Sequence, residues 1–361
     1  MKFRQEENLL KRTLFTPILM RNHFSKYIMI GICLILSSKS FSQDLEQTVK
    51  QVGLFLNDAA SYSDKYVTPA TDAAVYQASA GWMTSPKKRK LFDVTLAINT
   101  NVFFVPHRDR SFQINKSDFS FFSIQNANGE NVTSATVPTA LGSDTNYYLT
   151  GQIDTNPIKI AAPNGVNQES IIYPYVQGSI SLWRGFEVVG KYSTKVKLVR
   201  GNYQVYGFGL KHNFSQYFKS LEKKKINVAA LVAFSKENIS FDFIDTYTSY
   251  GNLGISQITG KVDTWQFQTS ASKEWKKFEL MVSSIINTSD FKYVLSGDRG
   301  QIEDFIPVQY IFNEKLKEIY KTKINFIGEI SGRYQISKFY VQTSLAFGKF
   351  VNTNLSIQYE F

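Results

Sequence analysis

The chain has 361 residues, enough for one large domain or two small ones. Its 41 Lys and Arg exceed 30 Asp and Glu, but residues 1–42 hold seven of the bases and two of the acids, so residues 43–361 carry 34 against 28, a net +6. That excess argues against nucleic acid as a partner, a mean hydropathy of -0.21 without a run of about 18 apolar residues excludes a helical membrane protein, and the one Cys, at position 33, leaves no disulfide, thiol nucleophile or cysteine metal site after it.

From Met20 the chain reads as a positive flank (Arg21, Lys26), an apolar stretch from Tyr27 to Leu36 and a small-residue exit at Ser40-Phe41-Ser42. This predicts a secretory signal over residues 1–42, with residues 1–19 a charged extension ahead of a start at Met20. Cys33 lies inside the apolar run, so it is not placed as a lipid-anchored first residue.

Asp44 and Gln47 then resemble a capping box, and Leu45, Val49, Val52, Phe55, Leu56 and Ala59 recur at helical spacing. Thr68-Pro69 reads as an N-cap followed by Pro at N1, opening a second, Ala-rich helical piece to about Ser79. Residues 43–80 are therefore expected to form a helical plug or cap. Next comes the basic run Lys87 to Lys90, read as a solvated turn or, as the functional alternative, a lipid-phosphate contact.

Beyond it the period changes from 3.6 to 2. Phe92, Val94, Leu96 and Ile98 alternate with polar or small residues, and the same pattern recurs from Phe186 to Leu198, from Ile226 to Phe234, from Phe278 to Ile286 and from Ile324 to Tyr334. Several runs reach about 10 residues, long for a globular strand but suited to a tilted strand crossing a bilayer. Alternation alone also fits a soluble sandwich. Export, strand length, 29 Phe and 20 Tyr favour a closed barrel, apolar outside and polar inside, which satisfies every backbone group in lipid. Residues 127–170 read as a long loop, with one strand near Tyr147 to Ile153. Two amphipathic pieces, Phe214 to Leu221 and Phe312 to Tyr320, read as short helices at the inner leaflet. The last alternation, Leu355, Ile357, Tyr359 and Phe361, resembles the terminal strand that the barrel-assembly machinery reads in bacterial outer-membrane proteins.

Further segments carry a family resemblance: Thr136 to Gly142, Val176 to Trp183, Arg184 to Val188 and Gly207-Phe208-Gly209-Leu210-Lys211-His212. Over most of residues 80–361 the chain resembles an uncharacterised family of exported Bacteroidota proteins (a domain of unknown function), similar in outline to long-chain fatty acid transporter-type barrels. The resemblance implies an N-terminal helical segment before about 14 strands, range about 12–16. The transporters' Asn-Pro-Ala hatch signature has no equivalent, since Asn156-Pro157-Ile158 stands in another region.

His107 and His212 lack ligand-spaced partners, and no nucleophile elbow or phosphate-cradling loop occurs, so no metal, cofactor or catalytic residue is expected and the protein is read as not an enzyme. The candidate lumen lining is Lys191, Lys195, Lys197, Lys323, Asn325, Glu329 and Arg333. The combined expectation is an all-β transmembrane antiparallel barrel over residues 81–361, in the outer membrane, with its lipid as partner and passively transporting a small hydrophobic or amphipathic ligand. The alternatives are a non-conducting structural or adhesion barrel and an exported soluble β-rich binding protein.

Overall fold

A computed structural model describes residues 42–242, 247–248, 251–252, 254–299 and 307–361. The expected signal peptide lies outside the described residues. The chain divides into residues 1–52 and 53–361. Of the first unit the described part, 42–52, is helical; all packing below concerns the second.

Ten antiparallel strands close into a barrel: β1 Val94–Phe104, β2 Ser170–Ser181, β3 Phe186–Tyr192, β4 Gly201–Asn213, β5 Ile226–Asp242, β6 Gln257–Trp275, β7 Phe278–Ser296, β8 Lys321–Ile336, β9 Phe339–Phe347 and β10 Val351–Glu360. Each pairs with its chain neighbour, β1 pairs with β10 and β3 with β4. An eleventh strand, Val196–Leu198, pairs with β4 outside the ring. The expectation of about 14 strands is thus corrected to ten. β5 to β8 run 16 to 19 residues, well beyond the about 10 that cross a bilayer. Residues 105–169 spend their strands on separate small sheets, including Tyr148–Ile153 paired with Asn156–Ala161.

The barrel has two unlike ends. Turns such as 276–277 and 337–338, together with the C-terminus, mark one; the loops after β1, β5 and β7 mark the other. Short helices follow the same parity. Helix α2 (Lys219–Lys223) lies at the short-turn end, but α3 (Val308–Leu316) follows β7 and caps the long-loop end, with Phe312 and Leu316 buried. The two short helices, expected together at one leaflet, thus lie at opposite ends of the barrel.

The two-residue period decides the wall. On β5 the outward residues Ile226, Val228, Ala230, Val232 and Phe234 give way to Lys236 and Asn238, and on β6 the change falls between Trp265 and Asp263. Phe234 pairs with Trp265 and Lys236 with Asp263, so the two changes are in register. At the short-turn end stand exposed aromatics, among them Phe92, Trp183, Tyr217, Trp275, Tyr334 and Phe361. From Trp265 to Trp275 the strand runs about 34 Å, or about 26 Å along the axis at a tilt of ~40°, the height of a lipid-facing apolar band.

Helix α1 (Ser42–Ser79) is continuous, with Pro69 inside it, so the expected break at Thr68 does not occur. The Thr68 hydroxyl donates to Asp64 Oδ1 at 2.9 Å within the helix instead of capping a new one. Residues 53–79 descend the barrel from the long-loop end, and the continuous burial that begins at Ala70 outweighs the one backbone bond Pro69 cannot donate. Ten strands give a backbone cylinder about 20 Å across; with side chains on the wall, about 10 Å remain, one helix wide. Hence Ala70, Ala73, Ala74 and Ala78 are all buried. The helix comes close to the wall at Gly260 of β6, where a Cβ would meet the Thr71 side chain.

Candidate functional site: the filled lumen

The inward positions of the wall are mostly polar, and the descending segment, residues 53–90, meets them group by group. Near the long-loop end Asp64 accepts from Lys321 Nζ at 2.5 Å, and Asp72 is bracketed by Lys323 at 2.5 Å and Lys349 at 2.6 Å. Tyr66 donates to the Asn164 carbonyl at 2.8 Å. Burial raises the phenol pKa values of Tyr62 and Tyr66 above their ordinary range. Outside the barrel, a hydrogen bond from Lys65 lowers that of Asp118.

Below Ser79 the helix ends and its carbonyls become free. Lys191 Nζ donates to the carbonyls of Ala78 at 3.0 Å and Ala80 at 2.7 Å, with Trp82 and Tyr175 rings 4.6 and 4.7 Å away. Glu329 Oε2 accepts from the Gly81 amide at 2.8 Å. Gln177 reaches the Trp82 carbonyl at 2.9 Å, Lys211 that of Ser85 at 2.9 Å and Asn213 that of Pro86 at 2.7 Å. Buried carbonyls that leave a helix need donors, and the wall supplies them.

At the short-turn end Arg89 donates to Glu187 and Glu360, each at 2.8 Å, with its side chain 6% exposed. Lys211 joins Glu187 at 2.5 Å; Arg333 joins Glu360 at 2.5 Å and Glu279 at 3.5 Å. Three bases meet three acids. The basic run at residues 87–90 is therefore not wholly a solvated turn, because Arg89 points inward; Lys87 pairs at the surface with Glu274 at 2.8 Å.

Of the sequence-selected lumen residues, Lys191, Lys323, Asn325, Glu329 and Arg333 face inward, and Asn325 donates to Asn287 at 3.0 Å. Lys195 and Lys197 do not join them: both are exposed. Residues 193–195 leave the ladder, so the alternation that turns Lys191 inward stops counting there. Arg89, Glu187, Lys211, Asp72 and Glu279 were not among the selected residues. For Glu187 and Lys211 the period was a usable signal, since both stand on the face opposite Val188 and Leu210. Leu355 and Ile357 sit exposed on the outer face of β10, followed by Tyr359 and Phe361 at the short-turn end. His107 is exposed after β1, and His212 Nε2 lies 3.2 Å from the Tyr217 hydroxyl. Among the described residues no group of three or more His, Cys, Asp or Glu could hold a metal.

A family model described as "Family of unknown function (DUF6588)" matches residues 20–361. No curated protein matches the chain. Among solved structures the chain is similar to Ail, the attachment invasion locus protein of Yersinia pestis, at 6% identity and a TM-score of 0.26, covering 75% of this chain and 100% of that one. It is similar to an outer membrane channel from Pseudomonas putida F1 at 9% identity, TM-score 0.28, covering 77% and 99%. It is also similar to the outer membrane protease OmpT from Escherichia coli at 8% identity, TM-score 0.28, covering 77% and 100%.

Proposed function

The chain belongs to this family of unknown function, matched over residues 20–361, and from that premise and its own surface we propose that it is an outer-membrane barrel sealed at rest by its own chain. It would act as a scaffold that holds the folded module of residues 105–169 at the cell surface. One observation carries the reading: the inward donors Lys191, Gln177, Lys211 and Asn213 are spent on backbone carbonyls of residues 78–86. A lumen kept for a solute would leave such groups to the solute. The apolar outer band supports the lipid setting.

A second reading, gated passage of a small hydrophobic or amphipathic compound, is favoured by a shallow apolar cavity of about 100 Å³ at the long-loop end, lined by Phe55, Tyr62, Phe122, Ile258 and Phe312. Passage would require displacing residues 53–90.

Planar-bilayer recording separates the two. The intact protein, shown by heat-modifiable gel migration to be a folded barrel, should give no stepwise conductance, whereas a chain lacking residues 44–80 should. Steady current or probe uptake through the intact protein would favour passage. Orientation is checked by cysteine labelling, since no Cys follows position 33. Ser61→Cys and Asn128→Cys should react with an impermeant maleimide on whole cells, and Lys223→Cys should not; the reverse pattern would invert the proposed topology.

A further inference from the structure

Just above the apolar band, on the outside of β4 to β7, lies a concavity of about 600 Å³. Lys195, Lys236, Lys261 and Lys292 line it, against Asp263 as the outward acid. Asp263 is shared, at 3.6 Å from Lys236 and 3.5 Å from Lys292. Lys195 and Lys261 form no ion pair among the described residues. Glu237, on the same wall, turns inward and bonds to Ser235 and Thr264, so it offsets little of this charge. Asp242 and Asp290 stand nearby and are held by Gln257 and Thr322, each at 2.5 Å.

Lys236 stands two residues, about 7 Å, above Phe234. Phe234 continues into a row of outward side chains, with Phe208 at 6.0 Å and Trp265 at 5.0 Å between ring centres. On its other side that row reaches two glycines, because Phe208 pairs with Gly190 and Gly190 with Gly178. The space over Gly190 is open, with no atom within 4 Å of where a Cβ would stand. Between Phe208 and Leu96, about 14 Å apart across three strand spacings, the greasy wall therefore has a furrow.

We propose that the lysine concavity and the furrow together bind one anionic phospholipid, its phosphate among Lys195, Lys236 and Lys261 and an acyl chain over Gly190. The proposal rests on the membrane-spanning reading above. The charge selects a phosphate, and the furrow selects a lipid over the free ion. Four lysines at the edge of the band would attract an anionic headgroup, and an acyl chain over bare backbone gains contact area that the glycines leave uncovered.

The test uses the intact protein in nanodiscs of dioleoylphosphatidylcholine containing a minor share of dioleoylphosphatidylglycerol, with bound lipid read by native mass spectrometry after release. The wild type should retain one phosphatidylglycerol. Lys195→Glu with Lys261→Glu should lower that retention at least about tenfold, while Lys195→Arg with Lys261→Arg keeps it. Gly190→Leu, whose Cβ would meet no atom within 4 Å, should lower lipid retention yet leave binding of inorganic phosphate unchanged. If inorganic phosphate displaces the lipid completely and Gly190→Leu has no effect, the site takes a free anion and the lipid assignment falls. Equal retention in wild type and the double Glu variant overturns the proposal altogether. A protein that stays monomeric without detergent or disc fails the membrane reading instead, and the two failures are distinct.

Discussion

Arg89→Ala should lower the unfolding free energy of the detergent-solubilised barrel by about 3–5 kcal/mol, the usual consequence of removing one partner from a buried ion network. Arg89, Lys211 and Arg333 balance Glu187, Glu360 and Glu279 at the short-turn end. The Arg89 and Glu187 side chains are 6% and 3% exposed, so the Glu187 carboxylate cannot simply turn to water, whereas Glu360 is 25% exposed. Without Arg89 the cluster holds two bases and three acids. The discriminating variant is Arg89→Met with Glu187→Gln, which restores two against two and should recover at least half of the loss, because the damage is an unpaired charge more than a missing contact. Equilibrium urea unfolding followed by the fluorescence of Trp82, buried inside the barrel, reads both. An alanine variant within about 1 kcal/mol of wild type, a normal surface value, or a double variant no better than the single, would mean that this cluster does not hold the segment in place.

The second large effect is expected at the opposite end. Asp58, on the helix and 5% exposed, accepts the backbone amides of Ser120 at 3.1 Å, Phe121 at 2.6 Å and Phe122 at 3.0 Å. Beside these bonds, Phe55 meets Phe121 and Phe122 edge to face, each at 5.5 Å. Asp58→Ala leaves three amides without an acceptor, each worth about 1–3 kcal/mol when buried. Residues 105–169 should then open without the barrel, so amide exchange at Ser120 to Phe122 rises by about a hundredfold or more, and proteolysis cuts within this module first. Heat-modifiable migration should stay unchanged. Asp58→Asn keeps one acceptor oxygen and should fall between. Unchanged protection in the alanine variant would show that the aromatic contacts alone hold the module, and the scaffold reading would lose its anchor.

Much of the site was visible as a two-residue period. Lys323, Asn325, Glu329 and Arg333 stand at odd positions of one strand, opposite Ile324, Phe326 and Ile330, and the structure turns them inward together. The same arithmetic on Phe186 to Leu198 placed Lys191 with them but carried on too far. Nothing local marks residues 193–195 as leaving the ladder; the departure depends on where β4 finds its partner. The helix gives the same lesson. Thr68-Pro69 reads locally as a start signal, and is overruled because the residues that follow it enter a cylinder one helix wide.

Along each unbroken strand the sequence by itself determined which side chains face outward and which inward, since alternation is a local property set by the pleat. It also marked a helix ahead of the strands. The tertiary structure alone decided that ten strands close the ring, that residues 105–169 fold outside it, and that Arg89 turns inward from a run of surface bases. Each of these depends on pairing between residues far apart in the chain, and a local pattern reports only the polarity of the surroundings, not the partner that supplies them.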